Sequence, residues 1–179
     1  MRTMADFLDH FSRQHRWTVA LVEAIPDEHF DWAPAEGAFS CGDLVRHSMQ
    51  AEIFWSRLLT SAAGGETFDP FGLDGSAQER LEEFRQPNLE ASRQASVGGS
   101  VSECLTRWAE IRQRTRRGFG ELPDSALVEV TVKHPLTRVE APLWRMLLLM
   151  VEHEAHHRGQ LSAYLKMLGV EQPAAAIAT

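Results

Sequence analysis

Glu152-His153-Glu154-Ala155-His156-His157-Arg158-Gly159-Gln160 follows directly on an apolar run from Leu143 to Val151, near the C-terminal end of the chain. His153 and His157 are spaced i, i+4, which on a helix sets both imidazoles on one face, close enough to hold one metal ion. At about 100° per residue, Leu143, Met146, Met150, Leu161, Tyr164 and Leu168 gather on one side of this helix. His157 falls near the centre of that side and His153 toward its flank, while His156 lies at the edge. The seam therefore runs Met146, Met150, His153, His157, Gln160, Tyr164. Two histidines stand where core hydrophobes are expected, and an unpartnered buried polar group is costly.

Three further helices can be read outward from this one. The first spans Thr3 to Ala24, with Met4, Phe7, Leu8, Phe11, His15, Thr18 and Val22 at three-and-four spacing. Pro26 stops it. The second starts near Ser40, an N-cap with Asp43 in the first turn, and ends before Gly64-Gly65. Its inward face reads Leu44, His47, Ala51, Phe54, Trp55, Leu58. The third opens on the capping box Ser100-Val101-Ser102-Glu103 and carries the stripe Val101, Cys104, Leu105, Trp108, Ile111, Thr115. Arg107, Arg112, Arg114, Arg116 and Arg117 of that helix are read as a solvated basic face. Between the second and third helices, Glu66 to Gly99 is a long crossover with one candidate short helix, Gln78 to Gln86. Val128, Val130 and Val132 alternate with polar residues and predict a short strand, Pro135 a turn, and Val139 the start of a return strand. Pro142 suits the opening of the last helix, Gly169 its stop, and the Ala-rich tail after Gln172 is expected to fray. The expected fold is all-α, a four-helix bundle with a long crossover segment and a short β-hairpin before the last helix, as one domain over residues 1–179.

The composition narrows the function classes. With 18 Lys and Arg against 25 Asp and Glu, the formal charge of −7 disfavours wholesale nucleic-acid binding. No signal-peptide core opens the chain, and the run Leu143 to Val151 is too short to span a bilayer, so no membrane association and a cytoplasmic setting are expected. Two cysteines, Cys41 and Cys104, do not suggest a disulfide scaffold. Cys41 lies at a helix start, where the dipole favours a thiolate, but no base adjoins it. Cys104 reads as core.

His47 does on the second helix what His153 and His157 do on the last. Three inward histidines from two helices can converge in the bundle, leaving at least one open position on zinc, nickel, iron(II) or manganese(II). His10, His15, His29 and His134 lack such company. His15 reads as a satisfied core or boundary residue and His134 as a surface residue in the hairpin turn. His153-Glu154-Ala155-His156-His157 also has the form of a His-Glu-x-x-His protease helix, though the middle of a small bundle is not the extended cleft such a site needs.

His47 in Gly42-Asp43-Leu44-Val45-Arg46-His47, the upstream Trp32-Ala33-Pro34 loop and the ending His153-Glu154-Ala155-His156-His157-Arg158-Gly159-Gln160 resemble the DinB-like superfamily. The ending is close to that family's His-x-x-x-His-Arg-Gly-Gln signature, and the resemblance covers nearly the whole chain. It implies a four-helix bundle with one divalent metal ion held by His47, His153 and His157. It also implies a small-molecule substrate, with a low-molecular-weight thiol such as bacillithiol or mycothiol among the candidates, and a possible homodimer. The leading expectation is a metal-dependent thiol S-transferase acting on small electrophiles. A metal-dependent hydrolase using Glu154 as base is the runner-up, and a non-catalytic metal- or small-molecule-binding protein the third reading. Gln160, Glu154, Tyr164, Trp32 and Trp55 are candidates for pocket or supporting roles.

Overall fold

The computed structural model describes residues 2–66, 99–134 and 137–174. Its long helices are α1 (Met4–Glu23), α2 (Cys41–Ala63), α3 (Val101–Gly120) and α5 (Leu143–Met167), with a single turn α4 (Ala126–Glu129) and strands β1 (Thr131–Lys133) and β2 (Glu140–Pro142) before the last. The candidate helix over Gln78 to Gln86 and the fraying of the last five residues lie outside the described residues.

Local chemistry sets the helix starts. Thr3, Ser40 and Ser100 each accept a hydrogen bond from the backbone N–H three residues on, and Asp6, Asp43 and Glu103 each accept one from the cap residue's backbone N–H. Such reciprocal caps satisfy N–H groups that a helix start leaves without partners. Helix α5 instead starts at Pro142, whose fixed φ suits a helix entrance. Gly169, at φ +70°, follows its end in the left-handed conformation that a glycine adopts freely.

The hairpin is shorter than the sequence pattern predicts. Ala126 to Glu129 turns helically, the amides of Ala126 and Val128 bonding back to Pro123 and Ser125. Val128 is accordingly 70% exposed, while Val132 is buried in the core and Val130 packs partly buried against it. The valine alternation was a coincidence of a helical turn followed by a three-residue strand. Strands β1 and β2 pair antiparallel, Val132 opposite Ala141.

Helix α1 packs on α3 and α5, and α2 packs on the same two. Helices α1 and α2 thus lie across the bundle from each other, and residues 24–40 cross its end. This order makes α2 and α5 neighbours, which brings His47 to His153 and His157. The core falls into two apolar clusters. One gathers Phe7, Phe11, Trp55, Leu59, Phe119 and Leu147, the other Val22, Phe30, Leu44, Val45, Trp108 and Leu165. Between them lies a polar layer.

Candidate metal centre

The three inward histidines come together as the sequence predicts. His47 Nε2 lies 3.4 Å from His153 Nε2, and His157 Nε2 lies 3.3 Å from the same atom. The His153 and His157 rings stand 4.6 Å apart at 72°, and those of His47 and His157 4.7 Å apart at 81°. The three ligand atoms fall within 4.8 Å of one another, a grouping that can hold a metal ion.

This spacing can be tested against a metal. Zinc–nitrogen bonds of about 2.05 Å at tetrahedral angles require nitrogens about 3.3 Å apart, which matches the separations of His153 Nε2 from His47 and His157. His157 Nδ1–H donates to Gln160 Oε1 at 2.6 Å, which leaves the lone pair on Nε2 facing its neighbours. Burial lowers all three imidazole pKa values, His47 to about 4 and His153 to about 3, with the nearby His157 adding to both. The trio is therefore neutral at pH 7, the form that binds metal. One Nε2–H can satisfy only one of these close pairs, whereas a cation at the centre satisfies all three lone pairs. The donor set fits a divalent ion.

Glu154 does not face this group. It is buried in the polar layer with residues of the other three long helices. Its Oε2 accepts from Arg112 NH2 at 2.8 Å, and its Oε1 lies 3.0 Å from His15 Nδ1. Arg112 NH2 also lies 2.9 Å from Glu52 Oε2, which accepts from Trp108 Nε1 at 2.7 Å. Burial alone would raise the Glu154 pKa, but the His15 hydrogen bond and the Arg112 charge hold it at about 2. On a helix, Glu154 is turned about 100° from His153, and its ion pairs fix it there. That removes the base a His-Glu-x-x-His protease reading requires.

Arg112 is the clearest departure from the sequence reading. It is 7% exposed rather than part of a solvated face, and its guanidinium sits 3.6 Å from the centre of the Phe11 ring. A signal was present, since Arg112 lies one turn after Trp108 and next to Ile111 on the apolar stripe. Glu52, one turn before Trp55 on the inward face, was missed in the same way. His15 is buried as expected, edge-on to Trp108 at 4.8 Å. His134 is not a plain surface residue. It is half-buried against Trp55, ring centres 5.4 Å apart, and burial lowers its pKa. His156 is exposed, its ring 5.0 Å from that of His157, and neither His10 nor His29 joins a metal-holding group among the described residues. Cys41 is fully buried, and burial pushes its thiol up to about 11. That overrides the helix dipole and removes it as a nucleophile. Trp55 belongs to the core, whereas Trp32 and Tyr164 stay half-buried and meet edge to face at 5.6 Å.

Fold and site together define a helical bundle with a three-histidine group between two neighbouring helices. The chain matches the DinB family over residues 1–178 and belongs to it. Among solved structures it is similar to a DinB-like protein from Bacillus cereus, with 16% identity, 97% of each chain covered and a TM-score of 0.67. It is similar also to YfiT from Bacillus subtilis, described as a probable metal-dependent hydrolase with an unusual four-helix bundle topology, at 17% identity, covering 94% of this chain and 89% of that one with a TM-score of 0.68. A third similar structure is the colibactin self-resistance protein ClbS in complex with double-stranded DNA, at 15% identity, covering 93% and 97% with a TM-score of 0.66. At these identities the likeness establishes the fold. No curated protein matches the sequence. No helix of the described residues is long and apolar enough to cross a membrane.

Proposed function

We propose that the protein is a metal-dependent thiol S-transferase acting on small electrophilic substrates, with His47, His153 and His157 as the ligands of one divalent ion. The carrying observation is three converging, neutral imidazoles with no carboxylate in their group among the described residues. A divalent ion there would act as a Lewis acid that lowers the pKa of a thiol and keeps it nucleophilic near neutrality. Such chemistry needs no protein base, which suits a site whose buried neighbouring glutamate, Glu154, is locked in ion pairs. Gln160 holds the His157 ring in the tautomer that presents Nε2. The sulfur forms the new bond to carbon, the thiol proton passes to solvent, and the leaving group departs with its electron pair.

The test is elemental analysis of untagged protein beside His157→Ala, followed by thiol conjugation of 1-chloro-2,4-dinitrobenzene with cysteine or glutathione as donor. The expected result is about one equivalent of metal, lost in the variant together with metal-dependent conjugation. Absence of uptake from zinc, nickel, manganese or anaerobic iron(II) overturns the reading. A metal-dependent hydrolase is the second reading, favoured by the structural likeness to YfiT. His156, exposed beside His157, is then the group available to move a proton. Because ClbS was captured with double-stranded DNA, a DNA duplex serves as a control ligand, and the −7 charge favours a small molecule over it.

A further inference from the structure

The loop from α1 to α2 sets one aromatic ring against the histidine group and a second against α5 beyond it. Phe39, just before the Ser40 cap, sets its ring 5.4 Å from the His47 ring at a shallow 33°. Trp32 meets Tyr164, which lies one turn beyond Gln160 on α5, edge to face at 5.6 Å. Phe39, Trp32 and Tyr164 are only half-buried. The loop itself is firmly held. Phe30 is 2% exposed, the Gly42 amide donates to its carbonyl at 2.7 Å, and the Cys41 amide donates to Trp32 O at 3.0 Å. A Cβ at Gly42 would meet the Phe30 ring and the Arg46 guanidinium at 2.9 Å, so only glycine permits this approach.

The charges beside the triad are committed elsewhere. Arg46 donates to Asp43 at 3.1 Å and covers Phe30, and Arg158 donates to the Gln14 carbonyl and side chain at 2.9 and 3.0 Å. The arginines adjoining His47 and His157 in sequence are thus each engaged within the fold.

We propose that Phe39, Trp32 and Tyr164 form an aromatic rest beside the histidine group, selecting substrates with a flat, uncharged apolar group next to the atom that meets the metal. This deepens the proposed function and rests on its open metal position, though not on thiol chemistry. A half-buried ring keeps apolar surface against which an aromatic group packs and sheds water.

The experiment uses the full chain loaded with cobalt(II), titrated with benzohydroxamate and acetohydroxamate and followed by the cobalt visible spectrum. Hydroxamates bind an open metal position whatever reaction the site performs. Benzohydroxamate is expected to bind about tenfold more tightly than acetohydroxamate, and Phe39→Ala and Trp32→Ala each to reduce that ratio about threefold to tenfold. Phe39→Leu and Trp32→Phe, which keep apolar bulk, serve if an alanine variant fails to fold. They are expected to show smaller losses in the same direction. A ratio unmoved by every folded variant overturns the aromatic rest and leaves the metal site standing. Failure of the wild type to take up cobalt appears before any hydroxamate is added and overturns both.

Discussion

Replacing Arg112 with methionine tests the polar layer most sharply. Arg112 NH2 lies within 3.0 Å of both Glu52 and Glu154, and side-chain exposure of all three is below 10%. Methionine keeps much of the stem's apolar contact and removes the cation, leaving two buried carboxylates without it. Breaking a buried ion pair by removing one partner costs about 3–5 kcal/mol. For a chain of this size each kcal/mol moves Tm by about 2–4 °C, so the drop should be roughly 6–20 °C. The pH dependence fixes the cause. In the native protein Glu154 titrates near 2 against an ordinary 4.5, so its contribution to stability is full above about pH 4.5 and is lost as pH falls toward 2. Burial already pushes Glu52 upward, and Arg112 is the strongest influence opposing it. Without Arg112 both carboxyl groups titrate higher and the folded state holds more protons than the unfolded one. The variant therefore regains stability relative to wild type as pH falls from 7 to 5. Thermal unfolding by circular dichroism across that range measures it, and Glu52→Gln with Glu154→Gln in the Arg112→Met background should recover much of the loss. A cost under about 1 kcal/mol, with parallel pH profiles for the two proteins, would falsify the buried-ion account.

Two further outcomes follow from the site. Gln160→Leu removes the acceptor for His157 Nδ1–H and should weaken divalent-metal affinity about tenfold to a hundredfold, measured by chelator competition, with little change in helix content. Cys41, with its thiol near 11 and no exposed surface, should react with a thiol-specific disulfide reagent at pH 8 at least about a hundredfold more slowly than a free cysteine, and at the ordinary rate once unfolded in guanidinium. Fast labelling of the native protein at Cys41 would show that the end of the bundle opens.

Where the sequence reading succeeded, the information was local. Three-and-four spacing marks each long helix, and the Ser40 and Ser100 caps mark two starts within a residue. Where it failed, the deciding interaction was distant or the signal short. Val128 fits an alternation that a backbone turn from Pro123 and Ser125 overrides. His134 has a surface pattern around it yet rests on Trp55, far away in sequence.

The sequence by itself determined the helices, their inward faces and the three histidines, because a helix converts spacing directly into direction and the i, i+4 pair needs no partner to be seen. Only the tertiary structure decided which inward polar groups meet. Arg112 reads as one more exposed arginine until Glu52 and Glu154 arrive from two other helices to neutralise and bond it. Glu154 reads as a base for the candidate site until those same contacts hold it in the polar layer, away from the histidine group. Burial of charge is a property of pairs, and the pairing is set by which helices become neighbours. The α1–α2 loop, by crossing the end of the bundle, sets α1 and α2 on opposite sides and α2 beside α5, and so assembles the site.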